Sequence, residues 1–134
     1  MGASWLDATR ERIWVQTFPS RYSDAELFAA FDELDALVAK VAKDGHRYCL
    51  ISDVTRARVG NAVHRKRIAE TFTTTRRLMG DRVAGQGFVM AHPVQRGALT
   101  AILWLGRPPW PIETFATREV AITWAEGKLR APPR

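Results

Sequence analysis

Asp53, Thr55, Arg56 and Arg58, in the stretch SDVTRARVGN, are residue types that can hold an anion: two guanidiniums, a hydroxyl and a carboxylate to orient them. They follow RYCLIS (residues 47–52), an apolar run bounded by turn residues that reads as a central strand buried on both faces. Asn61, just beyond them, can cap a helix. Loops at the C-terminal edge of such strands are where open α/β sheets bind ligands, and a helix N-terminus favours negative charge. The plainer reading of the same residues has Asp53 capping a turn and the arginines in solvent.

The other reactive side chains are dispersed. His46, His64 and His92 lack the spacing that metal ligation uses, and the single cysteine, Cys49, sits inside the predicted buried strand, where a packed, inert thiol is expected. Gly85-Gln86-Gly87 lies within a strand and opens no helix, so it does not qualify as a dinucleotide-binding turn. Neither a nucleophile elbow nor a pair of carboxylates on one face is present. These absences lead us to expect no metal, no cofactor and no catalysis. An enzymatic alternative would rest on Asp53 and Arg56.

A different kind of chemistry, recognition, is suggested by residues 93–111, PVQRGALTAILWLGRPPWP. From Val94 to Leu105 the helical wheel is apolar on almost every side, interrupted only by Gln95, Arg96, Gly97 and Thr100. Such a helix is sandwiched between layers, or offers a side to a partner or an apolar ligand. Gly97 and Ala101, one turn apart, would allow another element to approach closely. Trp104, Leu105, Trp110 and Ile112, with Arg107 beside them, would form the rim of a partner-binding surface, tryptophan and arginine being frequent interface anchors. The readings left open are burial between the sheet and the last helix, self-association as a homodimer or docking of another protein, and an apolar pocket.

The elements that must position these residues can be read in order. RIWVQTF (residues 12–18) is a strand, with a shorter extended piece near residues 4–6 beside it. A helix follows, with Ser23 as its cap, Glu26 closing a capping box, and Tyr22 and Leu27 as a hydrophobic staple. Its inner face is Leu27, Phe28, Phe31, Leu34, Val38 and Val41, and Asp44-Gly45 ends it. After the buried strand, a helix from Asn61 to about Met79 turns Ile68, Phe72 and Met79 inward and Arg65, Lys66, Arg67, Arg76 and Arg77 outward. Residues 83–91 form a strand in which Gly85 and Gly87 let a neighbouring backbone approach closely. Pro93 opens the apolar helix and Gly106 closes it; residues 112–116 are a short last strand, and Thr117 caps a final helix over residues 118–129. Strands alternating with helices imply a mixed, mostly parallel sheet of four to five strands with about four helices, an α/β sandwich. We expect a single domain over residues 1–130 and a frayed tail at 131–134.

Composition bounds the remaining possibilities. At 134 residues and 46% hydrophobic, the chain can bury one core. Its longest apolar run falls well short of the ~20 residues that span a bilayer, and residues 1–12 lack a signal-peptide segment, so a cytoplasmic location is expected. The net charge of +6 comes from sixteen arginines against four lysines, spread along the chain with no basic, aromatic platform, so no nucleic-acid partner is expected.

The strand RIWVQTF, the stretch YCLISDVTRAR leading into an arginine-rich helix, and RGALTAILWLGRPPWPIETFATREVAITWA together resemble the STAS-like superfamily, which holds bacterial anti-sigma factor antagonists and the related lipid-transfer (CRAL-TRIO) domains. They cover most of the chain. The resemblance implies a non-catalytic bacterial signalling domain that docks another protein, or alternatively a small carrier for an apolar, lipid-like ligand. In that superfamily a Ser or Thr at the entrance of the second helix is commonly phosphorylated. Here that entrance is Gly60-Asn61-Ala62, without a hydroxyl, and Thr55 in the preceding loop is the nearest candidate.

Overall fold

The computed structural model describes residues 4–58 and 60–132. Five strands, β1 (Leu6–Arg10), β2 (Ile13–Thr17), β3 (Tyr48–Asp53), β4 (Val83–Val89) and β5 (Ile112–Phe115), lie side by side in chain order. β1 pairs antiparallel with β2, and every later pairing is parallel. Four helices connect or follow them: α1 (Asp24–Val41), α2 (Ala62–Leu78), α3 (Pro93–Gly106) and α4 (Arg118–Arg130). The fold is α/β with a mixed, mostly parallel sheet, as the alternation of elements predicts.

Local chemistry sets most boundaries. Ser23 Oγ accepts the Glu26 N–H at 3.1 Å and the Glu26 carboxylate accepts the Ser23 N–H at 2.9 Å, a complete capping box. Asn61 Oδ1 accepts the His64 N–H, and Thr117 Oγ1 accepts the Val120 N–H. The first helix stops at Val41, short of the expected Asp44-Gly45, although Gly45 is left-handed, at φ +77°. Phe28, expected on the inner face, is exposed. β1 lies further along the chain than the extended piece anticipated at residues 4–6. LDATR is a solvent-facing edge strand with no apolar alternation to announce it.

The two faces of the sheet are covered differently. On one, α4 lies directly against β3 and β4, because its inward residues Ala121 and Ala125 are small and fully buried against Ile13, Val15, Cys49 and Ile51. Gly85 and Gly87 face this side. A Cβ on Gly85 would stand 2.6 Å from the Trp124 ring, and one on Gly87 3.1 Å from Phe115, so both glycines make room for aromatic side chains and not for the neighbouring backbone expected there. On the other face, α1, α2 and α3 pack on one another and stand off the central strands, separated from them by large side chains: Trp14, Phe18, Phe31, Phe72, Phe88 and Trp110. The helix-covered side with the bulky residues is where space is left over.

Several expectations about the helices are corrected. Gly106 is the last residue of α3, while the left-handed cap is Arg107, at φ +43°. Gly106 is there for space: a Cβ would meet Phe72 at 2.4 Å. Gly97, expected to admit a neighbour, faces open space instead. Arg67 does not point to solvent; its side chain is largely buried, bonding Asp32 and Asp35 of α1 at 2.8 and 2.9 Å and Thr71 at 3.0 Å. Arg76 reaches the carbonyls of Gly106 and Arg107. These arginines fasten α2 to α1 and α3, a use of charge that outward helical spacing does not reveal. Of the anticipated tail, Ala131 accepts a hydrogen bond from Arg47, while Pro133 and Arg134 lie outside the described residues.

Candidate functional site: a cavity beneath three helices

Trp110 stands in the core, only 5% exposed, and not on the rim of a surface. Its indole N–H donates to Gln86 Oε1 at 3.0 Å, and its ring meets Phe72 edge-on at 6.3 Å. The proline-locked loop thus turns the indole inward, where its single donor finds the carbonyl oxygen that a buried Trp needs. Trp104 and Leu105 are 72% and 61% exposed, Arg107 is exposed and Ile112 is half-buried. The five residues expected to form one partner surface are therefore split between the outside of α3 and the interior.

The expected anion loop is likewise taken apart. The Asp53 carboxylate accepts the Thr55 hydroxyl at 2.5 Å and the Thr55 N–H at 3.0 Å, and Arg118 of α4 donates to it at 2.7 Å. Burial pushes the Asp53 carboxyl up, but the hydrogen bonds from Thr55 and Arg118 outweigh it and hold the group below its ordinary value. Asp53 thus caps a turn and anchors α4, the plainer of the two readings. Arg56 is exposed, and Arg58 lines the mouth of the cavity described next.

Between the sheet and the helix layer lies a partly enclosed cavity of about 110 Å³. A cavity of ~150 Å³ takes one benzene molecule, so this space approaches that of a single ring. Its walls are Trp14, Phe18, Phe31, Phe72, Phe88 and Trp110, closed above by Ile68, Leu99 and Ile102. Across its floor runs a polar row. Gln16 on β2 is the register partner of Ser52 on β3, and Gln86 on β4 donates to Ser52 Oγ at 3.5 Å. At the mouth, Gln95 of α3 holds the loop after β3 by donating to the carbonyls of Val54 and Ala57 at 2.6 and 3.0 Å.

Among the described residues, three buried side-chain polar atoms have no hydrogen-bond partner: Gln16 Nε2, Asp35 Oδ1 and His64 Nδ1. Gln16 and His64 both line this cavity. His64 sits in the first turn of α2, its Nε2–H donating to Asp24 Oδ1 of α1 at 2.5 Å. Tyr22 flanks the ring at 5.6 Å, and burial raises the Tyr22 hydroxyl above its ordinary value, keeping it neutral. Gly60 is required beneath His64, since a Cβ there would lie 2.9 Å from Nδ1.

Sequence reasoning missed Gln16, Gln86 and His64 as a group. The available signal was a glutamine in the middle of RIWVQTF and another inside the glycine-bearing strand, both polar residues in strands otherwise read as core.

Among the described residues no group of three or more His, Cys, Asp or Glu could hold a metal ion, and no helix is long and apolar enough to cross a membrane. Burial pushes the Cys49 thiol up to about 11, and its Sγ–H faces the Ala125 carbonyl. No protein-family model, curated protein or solved structure matches the chain.

Proposed function

We propose that this chain is a non-catalytic ligand-binding domain whose cavity beneath α1–α3 takes a small, largely apolar molecule carrying at least one hydrogen-bonding group. The observation that carries this reading is the Gln16 amide, 1% exposed, with Nε2 unpartnered in an aromatic-walled space. Burying an unsatisfied amide donor costs about 1–3 kcal/mol, and a carbonyl or carboxyl oxygen of a bound molecule would recover it. The Trp110–Gln86–Ser52 chain beside it is already satisfied within the protein, which concentrates recognition on Gln16. This reading is the carrier alternative implied by the STAS-like resemblance, with a ligand much smaller than a long acyl chain.

Native mass spectrometry of protein purified from its own host tests it. A retained small mass that disappears in a cavity-filling Ala98→Phe variant is expected. Protein that never carries such a mass and shows no thermal shift with any small aromatic compound would sink the reading.

A second reading, docking of a signalling partner or a second copy, draws on one observation: Val94, Trp104 and Leu105 of α3 are large apolar residues left exposed. Changing Trp104 and Leu105 to Ser should then abolish a measurable association while leaving the fold intact. Unchanged sedimentation behaviour and unchanged partner capture would remove this reading.

A further inference from the structure

The outer face of α3 combines apolar side chains with unpaired cations. At about 3.6 residues per turn, Trp104 stands at the middle of the exposed arc, with Val94 and Leu105 along one border and Arg96 along the other. Arg107, just past the last turn, shares a shallow hollow with Trp104. The guanidiniums of Arg96 and Arg107 make no ion pair or hydrogen bond among the described residues. Charge is spread unevenly around this helix. Residues 54–112 carry nine arginines and one lysine against two acids, Glu70 and Asp81, whereas α1 alone carries five acids. Arg67 and Arg82 are taken up by carboxylates at Asp32, Asp35 and Asp44. Arg76 bonds only carbonyls, those of Gly106 and Arg107, so it adds an uncompensated charge at the end of α3.

A helix with no acidic residue, an exposed indole, two aliphatics and free guanidiniums matches the interface of an anionic bilayer. There the ring and aliphatics enter the headgroup boundary while the guanidiniums meet lipid phosphates. A second copy fits less well, because it would bring the same positive charge to the contact. The outer face of a helix of 14 residues is also small. It measures about 21 by about 10 Å, roughly 200 Å², against the about 800 Å² per partner that stable interfaces bury. A bilayer extends past the helix on every side, so Arg76 and Arg107 contribute to the same contact. We propose that α3 is a peripheral membrane-docking helix, laying Val94, Trp104 and Leu105 onto an anionic lipid surface with Arg96 and Arg107 on its phosphates. This proposal is independent of the cavity and of the ligand-binding reading.

Co-flotation of the full chain with lipid vesicles tests this. One set is phosphatidylcholine alone, and the other is two parts phosphatidylcholine to one part phosphatidylglycerol. The mixed vesicles should bind about tenfold more tightly or better, and Arg96→Gln and Arg107→Gln should each cost about fivefold. Binding should weaken steeply between about 0.1 and about 1 M salt, where the screening length falls from about 10 to about 3 Å. Trp104 is the one exposed tryptophan among five, so its emission reports the contact. A blue shift with mixed vesicles, absent in Trp104→Ser, is expected, and Trp104→Ser combined with Leu105→Ser should abolish flotation. Protein left unbound by both vesicle sets overturns the proposal, as does flotation that survives the double change. Self-association in place of flotation, lost in the double variant, would assign this face to a second copy instead. Each of these failures leaves the cavity reading standing.

Discussion

The indole nitrogen of Trp110 and the side-chain oxygen of Gln86 lie 3.0 Å apart in the buried space between β4 and the helix layer. That bond turns the most conspicuous residue of the proline-rich loop into part of the core. It also leaves Gln86 free to reach Ser52 with its other end, completing the polar floor of the cavity.

Replacing Trp110 with Phe should cost about 1–3 kcal/mol, because the buried Gln86 oxygen loses its donor while most of the apolar contact is kept. Urea unfolding checks this. Pairing Trp110→Phe with Gln86→Leu should recover part of the loss, since the orphaned oxygen is then removed. An additive double variant would show that the bond does not carry the effect.

Gly106 and Arg107 respond oppositely to substitution. Gly106→Ala drives a Cβ into Phe72 and should destabilise by about 1–3 kcal/mol, with partial rescue by Phe72→Leu. Arg107→Gly relieves a non-glycine residue at φ +43° and should leave stability unchanged or raise it by about 1 kcal/mol. Thermal unfolding of the three variants distinguishes the two glycine roles.

Asp53 makes stability depend on acid. Its carboxyl is held below the ordinary value of 3.8 in the fold, so the stabilisation is full above that value and is lost as the pH falls through the lower folded one. Asp53→Asn should therefore be less stable than the natural chain at pH 7, and the gap should narrow towards pH 2.5. Urea midpoints measured across this range check the sign. A gap that widens in acid would contradict it.

Cys49, with its thiol pushed up to about 11 and buried under α4, should resist alkylation by iodoacetamide at pH 8 in the native protein and react readily once unfolded. Mass spectrometry before and after denaturant reads the difference directly.

Much of the scaffold was legible in one dimension. The Ser23–Glu26 box, the Asn61 and Thr117 caps, the apolar run of β3 and the two glycines of β4 are local signals, each acting within a few residues of itself. Together they set the alternation of strands and helices, and so the α/β class. The edge strand β1 escaped because its residues pack on little and obey no period.

The site was decided elsewhere. Whether Trp110 faced in or out depended on an oxygen offered by Gln86, 24 residues away. Whether Asp53 helped the loop's arginines hold a foreign anion or paired with an internal cation depended on Arg118, 65 residues on. The cavity exists because α4 carries alanines and seats flush on the sheet, while α1–α3 meet the opposite face through aromatic rings that cannot fill it evenly. Sequence by itself determined which segments would be strand, helix and turn, since those preferences are short-ranged. Only the tertiary structure decided which polar groups were left without partners, because hydrogen bonding is satisfied or refused by neighbours that the chain brings from far away.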